Sequence, residues 1–354
     1  MAYTTINKPS EYFNTVTYTG NGSSQTLDMD NLGLLWMKNR TETSNHNLFD
    51  VVRGGYYTSA PGPNLRSNGT IAGSGSDITS VYGITFGSSS STIGSDGGGY
   101  NYNQSGKSYV GWQWRANGAG VSNTDGDIAS TVSASTTSGF SIVTWSGTSS
   151  NGTIGHGLGA APKVIICFGY SSGGNSWTVG HNSLSWNNGI YLESTNSFSN
   201  SALWNNTAPT NDVFSVGSFS GTNSSQSMIA YCFAEKKGFS RFGSYVGTGS
   251  DAYAPFIYCG FKPAYVLTKR TDGNYIWSIT DGVRNPYNPT SLSLQPEYSD
   301  AESGWSPLEV DFLSNGFKLR TSSAQKNGSG SPFIYMAFAE QPLVGTNGVP
   351  ATAR

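Results

Sequence analysis

The sequence predicts an all-β protein made of three tandem antiparallel β-sandwich domains of the jelly-roll or lectin-like kind. Three observations carry this. Short apolar stretches alternate with Gly-, Ser-, Thr- and Asn-rich ones, and no stretch keeps a helical period for long. Aromatic residues make up 13% of the 354 residues and charged residues only 11%. Aromatic side chains bury large areas, so the small-residue background reads as turns and not as disorder. Finally, one order of features recurs three times, with a period of roughly 100–120 residues that suits a domain and exceeds a solenoid repeat.

Each copy opens on a strand with an aromatic residue followed by Gly: TVTYTGNGSS (15–24), SIVTWSGTSSNG (141–152) and RFGSYVGTGS (241–250). An apolar run comes next: LLWMKNR (34–40), KVIICFG (163–169) and AYVLTKR (264–270), of which the first and third close on Lys and Arg. The third feature is LFDVVRG (48–54), SWTVGHNSL (176–184) and WSITDGVR (277–284), and the fourth is GITFGSS (83–89), DVFSVGS (212–218) and NGFKLRTS (315–322). Each copy closes on a strand with large residues at alternate positions: Val110, Trp112 and Trp114, then Ile229, Tyr231 and Phe233, then Ile334, Met336 and Phe338. The intervening positions of the first closing strand, Tyr109, Gly111 and Gln113, are mixed, as on a strand that covers a core with one face. A Gly-rich restart follows each closing strand. The domains expected are therefore 1–120 with a short N-terminal arm, 121–236, and 237–354 with a short C-terminal tail.

A net charge of −2 argues against nucleic-acid binding, which normally shows a basic field. No apolar run approaches the roughly 20 residues needed to cross a bilayer, so no membrane insertion is expected. The opening MAYTTINKPSEYF lacks the order of a secretory signal, which points to synthesis in a cytoplasm. Cys167, Cys232 and Cys259 show no CxxC spacing and read as buried or partly buried free thiols.

Candidate chemistry is sparse. The acidic stretch with Glu297, Asp300, Glu302, Glu309 and Asp311 reads as a solvated loop, not as a carboxylate pair in a cleft. His156 between glycines reads as structural. NTDGD (123–127) and SDGGG (95–99) offer oxygen ligands without the order of a calcium loop, and the first reads as a turn cap between domains. No catalytic residue, metal site or cofactor is expected, and the chain is read as a non-enzyme. Sugar recognition needs an exposed aromatic plane beside amides and hydroxyls. Loops around Tyr100, Tyr102, Trp186, Trp204, Asn205 and Tyr287 combine these groups and are the glycan-contact candidates.

The third copy, with DGVRNPYN (281–288), DFLSNGFKLR (311–320) and the ending from 327 to 354, resembles a repeat family of marine bacteriophage tail-fibre and virion structural proteins. The opening MAYTTINKPSEYFNT and the stretch 121–147 are similar to that family too. The Gly- and Ser-rich stretch 88–108 departs from its commoner pattern. The resemblance implies a virion protein made in the host cytoplasm, most simply a tail fibre or adhesin that binds a bacterial surface polysaccharide without cleaving it. Its partners would be copies of itself, with a trimer as the guess from the family's role, and other virion proteins. Two alternatives remain open: a capsid decoration or fibre-connecting protein with no ligand of its own, and, more distantly, a depolymerase.

Overall fold

The computed structural model describes residues 3–29, 33–53, 64–70, 83–87, 90–95, 101–200, 202–302 and 308–344. The first copy holds β1 (Phe13–Thr19), β2 (Gln25–Leu27), β3 (Gly33–Asn39), β4 (Asn47–Asp50), β5 (Ile84–Phe86), β6 (Ser91–Ile93) and β7 (Ser108–Arg115). β8 (Val121–Asn123) and β9 (Ser130–Ser135) lead into the second copy, which holds β10 (Phe140–Ser146), β11 (Gly152–Gly155), β12 (Val164–Gly169), β13 (Thr178–His181), β14 (Asn188–Tyr191), β15 (Ser197–Ser199), β16 (Val213–Val216) and β17 (Ser227–Phe233). The third holds β18 (Ser240–Val246), β19 (Phe256–Tyr258), β20 (Phe261–Arg270), β21 (Trp277–Asp281), β22 (Val310–Leu313), β23 (Gly316–Leu319) and β24 (Pro332–Pro342).

The protein is all-β with several antiparallel sheets, and the three copies share one strand order. In each, the closing strand lies between the first and third strands: β1-β7-β3-β4, β10-β17-β12-β13 and β18-β24-β20-β21. The second copy is extended at both edges, by β14 and β15 beyond β13 and by β9 and β8 beyond β10, into an eight-stranded sheet. Small sheets β2-β6-β5, β11-β16 and β19-β23-β22 accompany them. Register fixes the equivalences. Trp112 faces Thr15 and Trp36, Tyr231 faces Ile142 and Ile166, and Met336 faces Phe242 and Leu267.

The closing strands are buried on both faces, not on one as their alternation implies. In β17, Ile229, Tyr231 and Phe233 join one apolar cluster, while Met228, Ala230 and Cys232 join a second one with Phe214 and Val216 of the small sheet. The mixed face also buries large residues, Tyr109, Met228, Phe333 and Tyr335 among them; a strand covered on both sides need not alternate in hydrophobicity.

The first cluster draws on all three copies. At its centre the equivalent residues Trp114, Phe233 and Phe338 meet: Trp114 lies 6.2 Å from Phe233 and 5.6 Å from Phe338, and those two lie 5.9 Å apart. Phe13 and Tyr265 pack against Trp114 at 5.1 and 5.7 Å.

Hydrogen bonds link the copies head to tail around this centre. Trp112 of the first copy donates to Asp281 of the third at 3.0 Å, and Tyr231 of the second donates to Asp50 of the first at 3.0 Å. The remaining seam uses His181 of the second copy, whose Nε2 lies 3.2 Å from the Tyr335 carbonyl of the third. Farther along the same strands the pattern repeats. Trp177 donates to the Arg66 carbonyl at 2.9 Å, Trp277 to the Tyr191 carbonyl at 2.8 Å, and His46 pairs with the Gln295 carbonyl at 3.0 Å. The buried Lys38 and Lys269, at matching positions in β3 and β20, reach the carbonyls of Ser299 and Thr195 in the neighbouring copy. The second copy has Phe168 there, stacked on Trp177 at 4.4 Å. Each copy thus contacts both others through one repeated geometry, a heterologous arrangement that closes on itself.

The arm at the start of the chain belongs to this ring. Tyr3 donates to the Gly260 carbonyl at 2.7 Å and lies under Lys237, and Ile6 is buried.

Candidate ligand-binding groove

The strands added before the second copy create a feature that the other copies lack. β8 and β9 lie on the outer edge of β10, the position at which β1 and β18 are sheet edges. Ser122 of β8 faces Thr131 of β9, and Thr131 faces Thr144 of β10, so three hydroxyl residues stand in one row across three strands. Directly opposed residues share a face of the sheet, which puts the three side chains side by side. One register step along, Trp145 faces Ser130, and Ser146 faces Ser227 of β17. Tyr170, just after β12, donates its backbone N–H to Ser227 and closes the far side. These residues and Ala129 line a groove of about 340 Å3.

The groove is polar and carries no charged side chain in its lining. Among the described residues, the hydroxyls of Ser122, Thr131 and Thr144 have no hydrogen-bond partner, whereas the Ser130 hydroxyl donates to the Gly155 carbonyl at 3.2 Å. Tyr170 is half-buried and backed by the Arg53 guanidinium, 5.5 Å from its ring centre. Burial raises the Tyr170 phenol above its usual range, with Arg53 and the Ser227 hydroxyl opposing, so it stays a neutral hydroxyl at physiological pH. Chemically this is a wall of donors and acceptors with one aromatic side, able to bind a neutral hydroxylated ligand; the Trp145 indole lies on the opposite face of β10, buried, and donates to Asn223 at 3.2 Å.

The aromatic loops behave differently from one another. Tyr100 lies outside the described residues. Tyr102 and Trp204 are fully buried, which corrects their expected exposure. Tyr102 packs edge-to-face on Phe49, and its phenol oxygen accepts from the Gly83 amide at 2.6 Å. Trp204 packs into the second copy's outer cluster, at 5.7 Å and 89° to the half-buried Trp186. Both indoles press on β13 so closely that a Cβ at Gly180 would stand 2.7 Å from Trp186 and 2.8 Å from Trp204. Asn205 is exposed, in a left-handed conformation (φ 48°), and accepts from Asn151 at 3.0 Å. Tyr287, 79% exposed, sits on the third copy, and no described contact joins it to the others.

The acidic stretch is also corrected: it is not a solvated loop throughout. Glu302 holds Arg40 and Arg284, at 2.6 and 2.5 Å. Glu297 is buried, accepts from the Trp277 amide at 2.8 Å, and is pushed up to about 8 by burial. His156 is buried, accepting from the Leu158 amide and pairing with the Thr210 carbonyl. In 123–127, Asn123 accepts from the Asp125 amide, and Asp127 accepts from Thr153, so both side chains stabilise a turn. The three cysteines are buried and free.

Sequence reasoning missed the hydroxyl row because it looked for aromatics beside amides. The only signal was Thr or Ser recurring within apolar strands, STVSAS (130–135) and FSIVTWS (140–146). It also missed the equivalent buried residues Asn103, Asn223 and Asn327, each ahead of a closing strand. Each donates to a Ser carbonyl of the first Gly-rich turn, Ser23, Ser150 or Ser250, and accepts from an amide of the same turn.

The profile of the family described as Domain of unknown function (DUF7483) matches residues 8–342, a single span that runs through all three copies. The chain belongs to that family. Neither a curated protein nor a solved structure matches it.

Proposed function

We propose that the chain is a non-enzymatic structural protein of a bacteriophage virion that holds a polysaccharide of the host surface in the groove between β8 and Tyr170. The observation that carries the binding reading is the row Ser122, Thr131 and Thr144, three hydroxyls in register and open to the groove. Ser122 and Thr131 are exposed and Thr144 half-buried, so a sugar rim can reach all three and supply matching donors and acceptors. The uncharged lining favours neutral sugars over acidic ones. The virion reading rests on the resemblance of 281–288, 311–320 and 327–354 to phage tail-fibre and structural proteins. In this reading each copy is a two-layer β-sandwich, the protein is made in the host cytoplasm, and it assembles with copies of itself, as a trimer, and with other virion proteins.

A second reading, an assembly protein without a ligand, is favoured by one observation. Tyr253, Phe256 and Tyr258 are exposed by 82%, 44% and 53%, close together around the edge strand β19. The equivalent strand β2 of the first copy carries Gln25 and Thr26 instead.

The deciding experiment is retention of the purified protein on susceptible cells and on their isolated neutral polysaccharide, with Thr131→Val and Thr144→Val alongside. Each variant is expected to lose about 0.5–1.5 kcal/mol of binding, the net worth of one hydrogen bond, without loss of fold. A single site of this kind is weak, so the assembled multimer is expected to bind far better than the protomer. No retention on any surface fraction, with assembly intact, favours the second reading. Release of shortened oligosaccharides overturns the non-enzymatic reading.

A further inference from the structure

Two of the three seams in the ring carry a histidine, and both border the third copy; the first of these also holds Trp112 on Asp281 and Arg40 on Glu302, and the second holds Trp277 on the Tyr191 carbonyl and Lys269 on the Thr195 carbonyl. Between the first and third copies, His46 Nε2 lies 3.0 Å from the Gln295 carbonyl; between the second and third, His181 Nε2 lies 3.2 Å from the Tyr335 carbonyl. The other ring nitrogen is occupied in each. His46 Nδ1 accepts from the Trp36 indole N–H at 2.8 Å, and His181 Nδ1 accepts from the Ser183 amide at 3.1 Å. An indole N–H and a backbone amide only donate, so each Nδ1 bears a lone pair and each Nε2 carries the proton that bonds across the seam. A second proton on either ring would set N–H against N–H. The seam between the first and second copies has no such group: its bonds run from Trp177 to the Arg66 carbonyl, from the Gly174 amide to the Thr70 carbonyl, and from Tyr231 to Asp50.

We propose that acid loosens the ring at the third copy: protonation of His46 and His181 replaces one hydrogen bond by an N–H against N–H conflict at each of the two seams that border this copy, while the seam between the first and second is untouched. The surroundings agree with the geometry. His46 is held well below its usual range by burial first and then by the Lys38 cation, with Arg284 adding and the carbonyls of Gln295 and Tyr298 opposing. Lys38 comes from β3 and Arg284 from the loop after β21, and Arg284 is itself paired with Asp281 and Glu302. His181 is lowered to about 4 by burial, opposed only by its bond to the Tyr335 carbonyl. Both bases are therefore neutral in the closed ring and protonate more readily once it opens. Closure is fully favoured above the ordinary pH range of histidine and is lost as pH falls from about 6.5 toward about 4. That interval of about 2.5 pH units raises the opened fraction about 300-fold through His181 alone. At the closed seam, Asp50 keeps the Arg53 ion pair at 2.5 Å and two backbone donors, Val52 and Arg53, besides Tyr231.

Imidazole nitrogen NMR and hydrogen exchange of the intact chain test this between pH 7 and 4. His46 and His181 are expected in the Nε2–H tautomer at pH 7. Protection in β21 and β24 is expected to fall below pH 6 while β4 and the β4-facing part of β17 stay protected. His46→Gln with His181→Gln keeps an N–H donor at each seam without a titrating ring, and it is expected to lower the pH of opening by at least one unit. If that variant does not fold, the wild-type tautomers and exchange pattern decide alone. Either histidine titrating near 6.5 without loss of protection in the third copy overturns the proposal, as does simultaneous opening of all three seams.

Discussion

Met336 stands where the first and second copies have Trp112 and Tyr231, and it has no proton to donate. Its facing position on the neighbouring copy is His181, while Asp281 and Asp50 face the other two. The two changes belong together. A carboxylate at 181 would find no donor on Met336, whereas an imidazole N–H reaches the adjacent Tyr335 carbonyl. Position 184 tells the same story: it is Leu, where the carboxylates Asp50 and Asp281 are paired with Arg53 and Arg284 three residues on. His181→Asp is therefore expected to bury a charge without a cation and to destabilise by roughly 3–5 kcal/mol, the cost of an unpaired buried ion, read by denaturant unfolding at pH 7. Trp112→Phe keeps one aromatic ring, leaves a void where the pyrrole part of the buried indole stood, and removes one donor from Asp281, which retains Arg284 and two amides. Its cost is expected to be smaller, about 1–3 kcal/mol. Glu297 makes a pH prediction. Its folded pKa of about 8 lies above the ordinary carboxylate value, and its Oε2 has no hydrogen-bond partner. The protonated acid is the form that fits the fold, so its contribution is complete below about pH 4.5 and is lost as pH rises toward 8. Glu297→Gln is expected to remove that slope from a series of melting curves between pH 5 and 9. An unchanged slope would assign it to other groups.

Strands in this protein are squeezed from two sides, which shows in where small residues stand. Gly180 in β13 lies under Trp186 and Trp204, and Gly111 in β7 lies against Met29 and Leu35. Gly180→Ala is expected to force the two indoles apart and to cost about 1–3 kcal/mol, the usual penalty of overfilling a packed site. Near-ultraviolet circular dichroism should report the change, because the rings sit edge-to-face at 5.7 Å. An unshifted spectrum and unchanged stability would mean that the pair has room to move. The element level is also where the sequence was most legible. Four of the five recurring features fall on equivalent strands because alternation, aromatic placement and Gly punctuation are local signals; the fourth does not, since 83–89 falls on β5 while its counterparts fall on β16 and β23, which match β6. Register then aligned Trp112, Tyr231 and Met336 as their spacing implies. The aromatic loops were not legible, since a Tyr or Trp beside Asn and Ser reads the same whether it plugs a layer, as Tyr102 does, or faces solvent, as Tyr287 does. The groove was illegible for a related reason: Ser122, Thr131 and Thr144 become neighbours only through strand pairing, and their spacing along the chain carries no period.

At the scale of the molecule, the three copies are sequence repeats of domain size whose apolar residues join one cluster. Phe233 touches Trp114, Phe140, Phe242 and Phe338, so a single side chain is packed by all three copies. Trp277 of the third copy spends its indole N–H on the second copy, and Trp112 of the first spends its own on the third. Severing the chain between copies would strip these partners away and expose the central aromatics. We therefore expect the isolated third copy, residues 237–354, to remain unfolded or to aggregate, and to bind a hydrophobic dye. Residues 1–236 are expected to lose stability by more than the few kcal/mol of any single contact, because Trp114 and Phe233 each lose Phe338, and Trp114 loses Tyr265 as well. The intact chain at neutral pH should unfold in one transition that fluorescence, far-ultraviolet circular dichroism and calorimetry all place at the same temperature. Three separable transitions, or a third copy that melts sharply on its own, would show instead that each copy carries a sufficient core and that the central cluster only docks finished domains.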